Sequence, residues 1–170
     1  ILSKQKNSRM CMICGLDNEY GVNAPFYNME DGSVMTVFRY KEQHQSYPGR
    51  VHGGMITAML DEMGLRSLWA KELSEETFGV TISLDTKYRK PVPYETELIG
   101  RGVVVKNTSH FIITDSYIMD KDGEILANGR IKYIKMDTQK IQEGVEVHEE
   151  MPYLVEDGRT EIEGPFFDNL

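Results

Sequence analysis

The chain has little that would tie it to an oxidising compartment, a membrane or a polynucleotide. Only two of its 170 residues are cysteine, Cys11 and Cys14, so no disulfide framework is available to staple it. No apolar run approaches the roughly 20 residues that cross a bilayer, and no secretory signal is visible. A basic excess is missing as well, since the formal net charge is −8. Residues 137–170 hold ten of the 27 acids and two of the 19 bases, which leaves 17 of each in residues 1–136. A neutral body with an acidic tail has nothing with which to displace counterions from phosphates. The expectation is a soluble, cytoplasmic protein that binds neither nucleic acid nor membrane. A local basic cluster on the neutral body would still suit a small phosphorylated ligand.

What is present reads as one domain with two flanking segments. Residues 1–19 show no clear period and carry the Cys pair. Residues 22–28 and 33–41 alternate like strands, with Val34, Thr36, Phe38 and Tyr40 on one face and a turn at Met29–Gly32. A polar loop from His44 to Arg50 follows. Residues 54–73 then change to a helical period, with Met55, Ile56, Met59, Leu60, Met63, Leu68 and Trp69 spread around most of the circumference. A helix apolar on so many sides is wrapped by other structure. After Gly79 the period returns to two, and strands are expected at 79–90, 95–106, 109–120 and 124–136, read as a meander. The fold class is therefore α+β, with about six antiparallel strands curved around one long central helix. The body spans 20–136. Residues 137–170 form an acidic extension whose apolar clusters, Met151–Val155 and Gly164–Phe167, are able to dock on the body.

Chemistry concentrates at the start of the helix. Two glycines, Gly53 and Gly54, directly precede its apolar stretch and follow His52. Helix N-termini leave N–H groups unpaired and carry partial positive charge. Without side chains there, a ligand carbonyl has close access to the backbone, and a developing oxyanion would be stabilised further. The same glycines would equally serve a tight turn into the helix. Two turns on, Asp61 interrupts the apolar run. A carboxylate there is costly unless paired or functional, and desolvation would lift its pKa toward that of a general base. Glu62 points about 100° away and has Arg66 at i+4 as a partner, which leaves Asp61 as the unpaired acid.

The stretch His44-Gln45-Ser46-Tyr47-Pro48-Gly49-Arg50-Val51-His52-Gly53-Gly54, with Met55 to Glu62 after it, resembles the PaaI-type hotdog thioesterases. Gly79-Val80-Thr81, Tyr88-Arg89-Lys90-Pro91-Val92-Pro93, and Asp122-Gly123 followed by Ala127 and Gly129 are similar to the same family in the same order. The opening Cys11-Met12-Ile13-Cys14-Gly15 resembles the start of a bacterial subgroup. The likeness covers roughly residues 11–136 and implies the hotdog fold and hydrolysis of acyl-CoA to a free acid and CoA. It also implies a homodimer, or a dimer of dimers, with active sites at the interface. By that resemblance, the Gly53 N–H polarises the thioester carbonyl and Asp61 of the other subunit activates water or attacks directly. Thr81 orients the water or the acid, and Gln45 matches the polar loop residue of the family. His52 is read mainly as scaffolding beside the substrate, with Gly54.

Arg89 and Lys90, at a strand end before Pro91, are placed for the phosphates of CoA, with Arg66 or Arg130 as further candidates. An ordinary solvated strand end would look the same. Cys11 and Cys14 form a single C-x-x-C. No second such pair exists, and His44, His52, His110 and His148 are dispersed, so neither a metal nor another cofactor is expected. Two other functions fit the same fold. One is a non-catalytic acyl-CoA binder or sensor, because fold alone does not establish chemistry. The other is a dehydratase using His52, which the position of the acid on the helix fits less well.

Overall fold

The computed structural model describes residues 1–75, 77–136 and 147–166. The strands are β1 (Ser3–Lys4), β2 (Tyr27–Asn28), β3 (Val34–Phe38), β4 (Phe78–Tyr88), β5 (Leu98–Asn107), β6 (Phe111–Met119) and β7 (Ile125–Met136). Helix α1 spans Gly53–Glu72, and a single turn, α2, spans Val147–Glu150. The strands form one antiparallel sheet in the order β1-β2-β3-β5-β6-β7-β4. The sheet packs around α1 as the hotdog fold, with seven strands where the pattern suggested about six.

Hydrophobic burial explains the arrangement. Along α1, Ile56, Met59, Leu60, Met63 and Leu68 are buried at 4% exposure or less, against residues such as Val34, Leu98, Ile112, Ile118 and Ile131. Burying each such side chain is worth about 1.5–3 kcal/mol, so the helix is fixed by tertiary packing on several sides. The helix ends where Leu73 turns left-handed at φ 50°.

Two features differ from the sequence pattern. The four strands after the helix are not one meander. Only β5, β6 and β7 are; β4 pairs with β7, while β5 pairs with β3. The link from β4 to β5 contains Pro91 and Pro93, which cannot complete a tight hairpin ladder. It instead carries the chain across the end of the sheet and leaves β4 as the outer edge. The second difference is β1, two residues too short to show a period, which adds to β2.

The segment Glu149–Phe166 lies on the body. Asn7 and Tyr153 form an antiparallel bridge, Asp157 is held by Lys4 and Tyr27, and Ile162 and Phe166 are buried with Tyr27, Met35 and Ile99. Much of the acidic extension, residues 137–146 and 167–170, lies outside the described residues. Among the described residues no helix is long and apolar enough to cross a membrane.

Candidate active site

The loop ahead of α1 is fixed by hydrogen bonds at both ends. His44 is buried, its Nδ1 accepts from the Lys41 N–H at 3.0 Å, and its carbonyl accepts from the His52 N–H at 2.8 Å. Val51 pairs with the carbonyl of Val92, and Gln45 bridges to Val51 through its backbone. His52 is the N-cap: its Nδ1 accepts from the Gly54 N–H at 2.9 Å, and its carbonyl accepts from Met55 and Ile56. Three of the first four amides of the helix are thereby taken. The fourth, the Gly53 N–H, has no acceptor among the described residues. The capping arrangement singles out one donor at the positive end of the helix dipole.

That donor opens onto a cleft of about 410 Å³ lined by Tyr47, Arg50, Gly53, Tyr88, Arg89 and Lys90 among others. Arg89 and Lys90, 36 and 37 residues beyond Gly53 in sequence, share a wall with it. Arg89 donates to Asn128 Oδ1 at 2.6 Å and Lys90 pairs with Glu124, so both are exposed but oriented. The side chain of Gln45 is exposed, and Tyr47 and Arg50 form the cleft wall at that point of the loop. Of the two further phosphate candidates, Arg66 is 1% exposed and cannot meet a ligand. Arg130 makes a two-pronged pair with Asp115, Nε at 2.7 Å and Nη2 at 2.6 Å, on the outer side of the sheet.

Asp61 stands two turns further along α1. The Thr81 hydroxyl lies 2.9 Å from its Oδ1 and 3.1 Å from Oδ2. One proton shared between two oxygens leaves both with capacity to accept from water. Burial raises the Asp61 carboxyl above its usual value, and the Thr81 hydroxyl draws it back without cancelling the rise. The Asp61 carbonyl accepts from the Tyr133 hydroxyl at 2.6 Å. Burial pushes that phenol far above its ordinary range, so it remains a donor. Gly64 makes room for it: a Cβ there would lie 2.1 Å from the Tyr133 oxygen.

Strand β4 reaches both ends of the site because its register slips between Thr81 and Ser83. Before the slip, odd positions face the helix: Gly79 approaches Leu65, and Thr81 meets Asp61. After it, even positions do. Thr86 and Tyr88 approach Thr57, and the Tyr88 hydroxyl donates to the Gly53 carbonyl at 3.2 Å. A regular strand would turn one set away; the bulge re-aims it. Alternation alone did not show this slip. Tyr88, Tyr133, Tyr47 and Arg50 were also missed as site residues, since their relation to α1 exists only in three dimensions.

Comparison with known proteins agrees with the geometry. The sequence profile of the Thioesterase superfamily matches residues 48–127, the stretch from the cleft loop to β7. The acyl-coenzyme A thioesterase THEM4 of Rattus norvegicus is 25% identical over 140 residues, 82% of this chain and 57% of that protein. Its Mus musculus counterpart is 27% identical over 74% of this chain and 52% of its own length. The chain thus spans little more than half of these relatives. Among solved structures, the thioesterase superfamily protein RHA08564 superposes with a TM-score of 0.66 at 26% identity, covering 74% of this chain and 63% of that one. The BH2602 protein from Bacillus halodurans, solved with CoA, has the same fold at 21% identity and a TM-score of 0.57, over 66% of this chain and 74% of its own. Profile, fold and the His-Gly-Gly turn at the head of the wrapped helix agree: the chain has the hotdog fold and is similar to the thioesterase superfamily over residues 48–127.

Proposed function

We propose that the chain hydrolyses an acyl-CoA thioester to a free acid and CoA, at two equivalent sites built across a homodimer. The observation that carries this reading is the half-buried Asp61 carboxylate, held by Thr81 on a helix whose first amide is left open. Gly53 and Asp61 are eight residues apart, about 12 Å along the helix axis. Reacting groups need contact distances near 3 Å, so these two positions of one helix cannot serve one thioester. Gly53 of one chain and Asp61 of another can.

The edge strand supports that assembly. β4 is eleven residues long, and its outer positions include Val80 at 40% and Ile82 at 53% exposure. A long edge without a covering element templates pairing with another strand, and two-fold pairing makes the contact isologous. Thr81 marks the Asp61 level of α1 and Tyr88 marks the Gly53 level. Antiparallel pairing of two β4 strands, centred between those residues, brings Asp61 of one chain toward Gly53 of its mate.

In the reaction, the Gly53 N–H donates to the thioester oxygen, and more strongly once that oxygen becomes an oxyanion. Asp61 takes a proton from water as the water oxygen bonds to the carbonyl carbon. Collapse of the tetrahedral intermediate breaks the C–S bond, and the departing sulfur takes the proton from Asp61, releasing CoA as the thiol and restoring the carboxylate. Arg50, Arg89 and Lys90 supply the charge that a phosphorylated substrate needs, and the CoA-bound relative of the same fold is consistent with that class. The test is release of free thiol from a panel of acyl-CoAs, with Asp61→Asn and Asp61→Ala as controls. Unchanged turnover in these variants would refute the mechanism. Saturable binding without any turnover would favour an acyl-CoA sensor.

A further inference from the structure

A second cluster, on a face of α1 turned about 100° from that of Asp61, joins parts of the chain that lie distant in sequence. One ligand atom each from Cys11, Cys14 and Glu62 lies within 4.8 Å of the other two. Cys11 Sγ and Glu62 Oε2 are 3.9 Å apart. Around a tetrahedral zinc-like ion, bond lengths near 2.3 Å to sulfur and 2.0–2.2 Å to oxygen separate neighbouring ligands by about 3.5–3.8 Å. The cluster is therefore within small side-chain adjustments of a three-ligand site.

The surroundings are arranged for sulfur as a ligand and not merely as packing. The Ile13 N–H donates to Cys11 Sγ at 3.4 Å, and Ser8 Oγ lies 3.3 Å from Cys14 Sγ. The turn is closed by the Gly15 N–H on the Cys11 carbonyl at 2.8 Å. It is wound so tightly that a Cβ on Gly15 would lie 2.5 Å from the Cys11 backbone nitrogen and oxygen, so Cys-x-x-Cys-Gly is a steric unit. Both sulfurs are thereby directed toward α1.

Glu62 is prepared from the other side. Its Oε1 accepts from Arg66 Nε at 2.7 Å, which leaves Oε2 toward the sulfurs. Arg66 is itself fixed, 4.3 Å from the Phe26 ring centre and 5.2 Å from that of Trp69, with Gln5 Oε1 and the Lys6 carbonyl as further acceptors. A hydrogen-bonded carboxylate of this kind is the usual support of a metal ligand. Charge also balances: two thiolates and a carboxylate carry three negative charges, and a divalent cation with the Arg66 guanidinium carries three positive. Cys14 is buried, while Cys11 and Glu62 are half-exposed, so an ion and one water have access.

We propose that Cys11, Cys14 and Glu62 bind one divalent cation of the zinc class, with water in the fourth position, clamping the N-terminal segment onto α1. The sequence count of ligands stopped at two cysteines because Glu62 is 48 residues beyond Cys14. The inference is independent of thioester hydrolysis. The test is titration of the full, reduced chain with Co²⁺ under anaerobic conditions, followed by displacement with Zn²⁺. One equivalent should bind, with thiolate-to-cobalt charge-transfer absorption and the intense visible bands of a tetrahedral site. Cys11→Ser should remove part of the charge-transfer band, and Glu62→Gln should keep it but weaken binding roughly 10-fold or more. Because Glu62→Gln unpairs Arg66, its fold is checked by circular dichroism, and Cys11→Ser, which leaves that pair intact, stands as the independent variant. Failure of the reduced chain to bind a stoichiometric ion would overturn the proposal. So would an affinity unchanged in a folded Cys11→Ser or Glu62→Gln protein.

Discussion

Replacing Gly53 by proline tests the oxyanion donor with unusually little collateral damage. Proline at the first helical position is favourable, because the missing N–H has no intrahelical partner there. The residue before a proline must be extended, and His52 already is, at φ −63° and ψ 134°. A Cβ on Gly53 would meet Tyr88 at 3.4 Å, an ordinary contact. The variant should therefore fold, and be more stable by about 0.4–1 kcal/mol through loss of chain entropy in the unfolded state. Removing one oxyanion-hole donor costs about 10²–10³ in kcat, and Gly53→Pro should lose that much with KM little changed. Mixing Gly53→Pro chains with Asp61→Asn chains then asks where the two groups meet. If each site takes Gly53 from one chain and Asp61 from the other, half the dimers of a random mixture are mixed, and each has one intact site. Turnover should recover to about a quarter of the wild-type value. Free-thiol release before and after co-refolding reads the result. A Gly53→Pro protein within a few-fold of wild type refutes the donor, and no recovery in the mixture refutes the shared site.

The remaining expectations follow from the same contacts. Thr81→Val removes the hydrogen bond that favours ionised Asp61; such bonds to charged groups are worth about 1.5–3 kcal/mol, and exposure of Thr81 argues for the low end, about tenfold in turnover. The acid limb of the pH–rate profile should move to higher pH; a limb that stays or moves down counts against Asp61 as the base. Asp61→Asn should lower turnover by about 10²–10⁴ yet raise the melting temperature at neutral pH. The folded state raises this carboxyl, so its charge costs stability above the folded pKa and the cost vanishes as pH falls below it; a lower melting temperature would contradict this. Ile82→Glu, at an exposed edge position, should give a monomer by light scattering with turnover lost, and an active monomer would sink the shared site. Asp157 is pushed up by burial but held down to about 2 overall by Lys4, Tyr27 and the Arg159 N–H. Its contribution is present above the ordinary value near 4 and lost as pH falls toward 2, so protease cutting within 150–166 should rise in that window and not at pH 6.

The one long helix and the strands at each side of it were legible because burial imposes its period directly on the sequence. Connectivity beyond nearest neighbours was less so. The link with Pro91 and Pro93 looked like a step in a meander, but its length and missing N–H groups send the chain past two strands. At the site, Asp61 stood out as an acid in an apolar run, and Thr81 through a family resemblance; the structure brings them into hydrogen-bonding contact. Tyr133 and Tyr88 had no local signal, because a phenol touching a helix 35 or 72 residues away leaves no spacing to read. Arg66 was half legible: its i,i+4 pairing with Glu62 was visible, whereas its burial beneath Phe26 and Trp69 comes from the N-terminal segment folding over it.

The adjacent acids Asp61 and Glu62 show how helix geometry divides labour that the sequence runs together. A rotation of about 100° per residue sends one carboxylate toward the edge strand and the other toward the N-terminal segment. Asp61 meets uncharged hydroxyls, Thr81 and Tyr133, so burial dominates and its carboxyl is raised above the usual value. Glu62 meets a buried guanidinium, whose ion pair holds it toward the N-terminal segment and away from Thr81. Exchanging the partners would exchange the roles: an arginine in place of Thr81 would stabilise the Asp61 charge and weaken it as a base. The choice of acid is thus made by what each one touches, uncharged hydroxyls against one cation, and not by the carboxylates themselves.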